Sequence, residues 1–294
     1  MKAGIIVPQG WTGEYAGWDP SRAWERSVLV ARQAEELGYE SIWAFDHFHT
    51  TPEPTDEMTF ESFTFLTALS QQTERVRLGH IVMAAGFRNP ALVAKMISTL
   101  DIVSDGRAQV GIGAGWKKDE WEAYGYGFPA RKERLDGLAD ALEILRAMLA
   151  PGRATHEGTH SSVQGAINEP PGIQQPRVPI VVGGNGPERT WRLAARYADE
   201  LNIDAMYPED LAAAMPTIRS RCEEIDRDPD TLDVSVHIWW EQAAEAGPAR
   251  VERLAAYREL GVSRVQMLVR SSVDDDDALA GFAEDCRAAG VELE

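Results

Sequence analysis

Cysteine is nearly missing: among 294 residues there are two, Cys222 and Cys286, each inside a helical pattern. That excludes a disulfide framework and a cysteine-built metal site. Long apolar runs are absent as well, since nothing approaches the roughly 20 residues that cross a bilayer. The apolar part of the opening stretch, Met1–Gly10, is too short for a secretory signal, so a cytoplasmic chain with no membrane partner is expected. Cations are scarce, 29 Lys and Arg against 47 Asp and Glu, for a net charge of -18. Phosphate-backbone binding needs a clustered positive field, so nucleic acid is not the expected partner. Motifs that define common chemistries are missing too. His47, His49, His80, His156, His160 and His237 show no H-E-x-x-H spacing, so no metal site is expected. No G-x-S-x-G elbow supports a serine nucleophile.

What the chain does have is order. β-rich runs alternate with longer helical patterns throughout. Strands are expected at Ala3–Pro8, Ser41–Asp46, Val76–Met83, Ala108–Gly113, Pro179–Val182, Glu200–Asp204, Asp233–Ile238 and Arg264–Val269. Helices are expected at Ser21–Leu37, Phe60–Thr73, Pro90–Ser104, Ala130–Leu149, Pro187–Tyr197, Pro208–Arg227, Pro248–Leu260 and Asp274–Ala289. Pro90, Pro187, Pro208 and Pro248 suit a first helical turn, and Gly38, Gly261 and Gly290 suit helix ends. Eight βα units with apolar strands close most simply into a (β/α)8 TIM barrel, a single domain over residues 1–294. A doubly wound open sheet fits less well, because the first strand leads into Gln9-Gly10-Trp11 and not a G-x-G-x-x-G turn. The long loops 9–20 and 113–129 follow strands and therefore insert at the C-terminal face, where barrel sites form. The stretch 151–177, rich in Gly, Pro, Gln and His, reads as an excursion on the barrel surface, and the acidic run Asp274–Asp277 as first-turn charges facing a helix dipole.

Three constellations carry chemistry. Asp46 and His47 end the second strand, where an imidazole can exchange a proton near neutral pH. The run Gly183-Gly184-Asn185-Gly186-Pro187-Glu188-Arg189-Thr190 takes a strand through a glycine turn into a helix, a cradle for an anion at helical amides. It lacks the G-K-[ST] ending of a nucleotide-hydrolysing loop, and Arg189 and Thr190 would add a cation and a hydroxyl. Alternating glycines at Gly111, Gly113 and Gly115 make room for another backbone or for a flat ligand. Around these fall Trp11, Trp116, Trp239 and Trp240 at strand ends and loops, candidate walls of an aromatic pocket.

As an ordered set, several segments resemble the bacterial luciferase-like family of flavin- and deazaflavin-dependent oxidoreductases. They are Trp43-Ala-Phe-Asp46-His47, Gly79-His-Ile-Val-Met, Arg88-Asn-Pro90-Ala, Thr99-Leu-Asp101, Ser104-Asp-Gly106-Arg107, Gly111-Ile-Gly113-Ala-Gly115-Trp116 and Val182-Gly-Gly-Asn-Gly186. Arg189-Thr190 and Leu193-Ala-Ala-Arg196-Tyr197-Ala-Asp199 complete it and point to the branch that uses coenzyme F420. The resemblance implies hydride transfer between the deazaflavin and a small organic substrate. Gly183–Gly186 and the following helix start would hold the cofactor phosphate, and Asp46 and His47 would stand beside the ring, with His47 exchanging the proton. It further implies a cis peptide at Ile81–Val82 behind the ring, and a homodimer. Some sugar-phosphate dehydrogenases of the family carry glutamate directly after the fourth-strand glycines; here Trp116 stands there, which argues for an apolar or aromatic substrate. For the cofactor tail, Lys117, Lys118, Arg189 and Arg192 are the candidate cations. Two alternatives are an FMN-dependent monooxygenase, fed by a separate cofactor reductase, and a non-catalytic flavin-binding barrel.

Overall fold

The computed structural model describes all residues from 1 to 294. Its strands are β1 (Lys2–Ile6), β2 (Ser41–Ala44), β3 (Arg77–His80), β4 (Met83–Ala84), β5 (Ala108–Gly113), β6 (Arg153–Glu157), β7 (Ser162–Ile167), β8 (Ile180–Gly183), β9 (Glu200–Asp204), β10 (Asp233–Ile238) and β11 (Arg264–Met267). The helices are α1 (Pro20–Glu36), α2 (Ser62–Ser70), α3 (Pro90–Val103), α4 (Lys118–Ala123), α5 (Arg131–Met148), α6 (Thr190–Tyr197), α7 (Pro208–Glu223), α8 (Pro248–Glu259) and α9 (Ala278–Ala288). Parallel pairing runs from β1 through β2, β3, β5, β8, β9, β10 and β11 and returns to β1, which closes a (β/α)8 barrel. The third barrel strand is split: the Ile81–Val82 peptide is cis, and β3 and β4 on either side of it both pair with β5.

Local chemistry explains most boundaries. Asp19 caps α1 by accepting the Ser21 and Arg22 amides, with Pro20 filling the first turn. Asn89 and Pro90 do the same for α3. Gly38 ends α1 at a φ of 89°, a conformation that a side chain would strain.

The barrel interior is filled from the bottom upward. Arg264 lies buried between Glu200, at 2.9 Å, and Glu40, at 3.0 Å. Above it Trp43 plugs the centre, with the Arg264 guanidinium 5.3 Å from its ring. Gly4 and Gly79 flank that indole so tightly that an added Cβ would come within 2.7 Å of it at Gly4 and 2.4 Å at Gly79. This plug raises the remaining free space to the C-terminal mouth. The main apolar core lies outside, between the strands and the helices.

Four local expectations are corrected. The 151–177 excursion contains the antiparallel hairpin β6–β7, whose strands bury little beyond Ala154 and so carry weak hydrophobic alternation. The loop after β5 holds the short helix α4. The fifth barrel helix begins at Thr190, not Pro187. The acidic run Asp274–Asp277 precedes α9 instead of forming its first turn, and Asp276 pairs with Arg26 of α1.

Candidate active site

A cavity of about 350 Å³ opens at the C-terminal mouth. Trp11, Phe45, His47, Ile81, Val82 and Trp239 line one part, and Gly183, Gly184, Asn185, Gly186 and Thr190 another. The His47 imidazole stacks on Trp11, with ring centroids 4.0 Å apart and planes within 4°. Its Nδ1 lies 2.8 Å from Glu120 Oε2, while Glu120 Oε1 accepts the Phe48 amide at 2.6 Å. Glu120 is wholly buried on α4, so the imidazole is fixed by a carboxylate brought in from 73 residues away. With Nδ1–H given to Glu120, Nε2 is the ring nitrogen left to exchange a proton.

Asp46, expected beside a ring, does not line the cavity. Its Oδ1 accepts the Ser62 hydroxyl at 2.8 Å, and Oδ2 accepts the Ala84 amide at 3.1 Å and Arg88 at 2.8 Å. Burial pushes its carboxyl up, but the Arg88 guanidinium and the Ser62 bond more than offset this and hold it below the usual carboxylate range. Asp46 thus ties the end of β2 to β4, just past the cis bond.

The glycines divide into two jobs. At Gly111 an added Cβ would meet the His80 carbonyl oxygen at 1.8 Å, and at Gly113 the Val82 side chain at 2.9 Å. These serve the close approach of the split third strand, so another backbone, not a flat ligand, explains Gly111. Gly183 meets Val82 in the same way, at 2.7 Å. Gly184, at a φ of 132°, and Gly186 instead shape the turn before α6, where an added Cβ would crowd Thr190. The Asn185 and Gly186 amides have no acceptor within the protein, and Arg189, at the α6 N-cap, makes no capping bond. Bare amides at a helix start suit a phosphate. A cradle that any Cβ would fill and these free donors fit the phosphate of a flavin or deazaflavin.

The cations expected for an anionic tail are mostly spoken for. Lys117 is buried and bonded to Asp119 at 2.8 Å, and Lys118 pairs with Glu122. Arg192 pairs with Glu188 and Glu224, and Arg189 with Asp136, which places Arg189 in a neighbouring cleft and not in the cavity. Arg131 and Arg134, on the first turn of α5, pair with no carboxylate and line the cavity. Arg131 lines the neighbouring cleft as well, and its Nη2 is 3.8 Å from where a Gly186 Cβ would sit. Of the tryptophans, Trp11 and Trp239 are walls, Trp116 is a 62% exposed flap edge-on to His47, and Trp240 stands behind Trp239, covered by Arg270.

Residues 1–287 match the luciferase-like monooxygenase family, and the chain belongs to it. The F420-dependent glucose-6-phosphate dehydrogenase of Microbacterium testaceum (strain StLB037) is 30% identical over 278 residues, covering 85% of this chain and 80% of its own length. An F420-dependent secondary alcohol dehydrogenase, solved in complex with an F420-acetone adduct, superimposes with a TM-score of 0.82 over 98% of both chains, at 20% identity. The oxygenating constituent of 3,6-diketocamphane monooxygenase from Pseudomonas putida, a type II Baeyer-Villiger enzyme solved with FMN, gives a TM-score of 0.76 at 16% identity over 100% of this chain and 99% of its own. These two structures share the fold.

Proposed function

We propose that this protein is a coenzyme F420-dependent oxidoreductase acting on a small organic molecule with an apolar or aromatic body. The observation that carries the reading is the Trp11-stacked, Glu120-anchored imidazole of His47 in one cavity with the glycine cradle. F420 dependence in the Microbacterium testaceum relative supports the choice of cofactor. When bound, the deazaflavin supplies the hydride chemistry; the protein supplies orientation, water exclusion and proton handling. The amides of Asn185 and Gly186 and the start of α6 hold the phosphate, with Arg131 the nearest free cation. Ile81 and Val82 back the ring. His47 Nε2 takes the substrate's proton, or returns it, while Glu120 keeps the imidazole in the required tautomer and orientation. Trp11, Trp116 and Trp239 exclude water around the reacting groups.

Titrating the purified protein separately with F420 and with FMN tests the cofactor: F420 is expected to bind at least about tenfold more tightly. The reverse preference would replace this reading with the FMN-dependent monooxygenase. Turnover is then followed through loss of F420 absorbance with a panel of secondary alcohols. His47→Ala should retain F420 binding and lose roughly 10²- to 10⁴-fold in kcat. Unchanged turnover in that variant removes His47 from the chemistry.

A further inference from the structure

His47 is not alone as a titratable group in the mouth. Around the barrel, β9 stands four strands from β2 in either direction, so Asp204 at the end of β9 lies diametrically across from the strand that leads to His47. Asp204, His237 and Trp239 all line the cavity. Asp204 Oδ1 accepts Trp239 Nε1–H at 3.0 Å and lies 3.0 Å from His237 Nδ1. The Asn185 side chain clamps the Asp204 backbone from both directions, donating to its carbonyl at 2.7 Å and accepting its amide at 3.0 Å. The carboxylate is thereby held to the cradle on one side and to the aromatic wall on the other. Burial opposes its charge, but the His237 and Trp239 bonds keep its carboxyl below the usual range, so it is an anion at neutral pH.

One acceptor is left over. Oδ2 of Asp204 receives no bond from the protein, on a side chain that is about half exposed. His237 is more than nine-tenths buried and its Nε2 is shut off from solvent, so its part here is to fix the Asp204 carboxylate through Nδ1. Around them the wall is aromatic: Phe45 and Trp239 stack at 5.7 Å, and Trp11 leans on both. Covering this anion with hydrocarbon strips its water and returns nothing, which is costly.

We propose that Asp204, held in place by His237 and Trp239, forms a recognition subsite for a hydrogen-bond donor, a hydroxyl or a protonated amine, carried by the substrate at the end remote from its reacting carbon. This rests on the reading above in one respect, that His47 marks the reacting end. The substrate is then amphipathic: an aromatic or alicyclic body lies against Trp11 and Phe45, with a donor group reaching β9. A carboxylate or phosphate at that end meets like charge and is rejected.

Calorimetric titration of the protein, with and without F420, against benzylamine, benzyl alcohol, toluene and benzoate tests this. Benzylamine should bind tightest and benzyl alcohol next, with toluene weaker and benzoate not bound. Asp204→Asn keeps the side-chain size and an oxygen for Trp239; it should weaken benzylamine by about tenfold or more and erase the preference for amine over alcohol. Asp204→Leu should reverse the order in favour of toluene, and if that variant does not fold the Asn variant alone decides. F420 affinity should stay within about threefold in both. Equal binding of benzylamine and toluene to the unaltered protein would overturn the subsite. So would a loss of F420 affinity in Asp204→Asn with the probe order unchanged, because the carboxylate would then serve the cofactor. If F420 fails to bind while the probe order holds, the cofactor reading falls and the subsite stands.

Discussion

His80 is the most exposed liability at the scale of single residues, although it is wholly buried. It ends β3, lies 4.2 Å from the Phe63 ring, and neither ring nitrogen has a hydrogen-bond partner. Burial pushes its pKa down from 6.5 to about 4, and the attraction of Asp46 only partly opposes this. Below pH 6.5 the unfolded chain therefore takes up a proton that the folded chain refuses. Stability should fall as pH drops from about 6.5 to about 4, by up to about 3 kcal/mol, and this contribution levels off below that. Asp46, whose carboxyl is depressed, adds its own loss only at lower pH. Urea melts of the unaltered protein and of His80→Leu at pH 7 and pH 5 separate the effects: the variant should lose much less stability on acidification. Equal losses would show that His80 is not the group titrating. Sequence reading reached His47 because it follows a strand at the barrel mouth. It could not reach Glu120, which sits in a short helix without usable periodicity and meets His47 only across 73 residues of chain. Arg131 was hidden for the same reason, as one cation among several on an ordinary helix.

Elements were more legible than contacts. Strand and helix periods differ, and proline and glycine punctuate the ends, so the eight βα units stand out in order. What the pattern could not disclose is why glycines alternate in β5. Gly111 accommodates the His80 carbonyl of the neighbouring strand, whereas Gly186 borders the cradle. These two positions should therefore respond differently to one added methyl. Gly111→Ala forces backbone against backbone, and overpacking of that kind costs on the order of 1–3 kcal/mol or more. A fall in Tm of several degrees is expected. At Gly186 the methyl meets the Thr190 hydroxyl at 2.9 Å, a group able to rotate, so Tm should change little while F420 affinity drops about tenfold. Differential scanning fluorimetry and F420 titration on both variants check this. Full affinity in Gly186→Ala would remove the phosphate from this turn.

For the whole molecule the net charge of -18 opposes any polyanionic cofactor, and scale decides which electrostatic effect prevails. Surface charges farther from the cradle than a Debye length, about 10 Å at 0.1 M salt, are largely screened. Arg131 is close to the cradle, unpaired and at the rim of a partly enclosed cleft, where a pair of opposite charges at 4 Å is worth up to about 4 kcal/mol. The near cation should win, so F420 binding should weaken as salt rises from about 0.05 to about 0.5 M. In the double variant Arg131→Gln, Arg134→Gln the local attraction is gone and only diffuse repulsion remains. Affinity should then be lower overall, and added salt should leave it unchanged or strengthen it. The same sign of salt dependence in both proteins would place the anionic handle elsewhere, because a cation that does not contribute to binding cannot change how binding responds to screening.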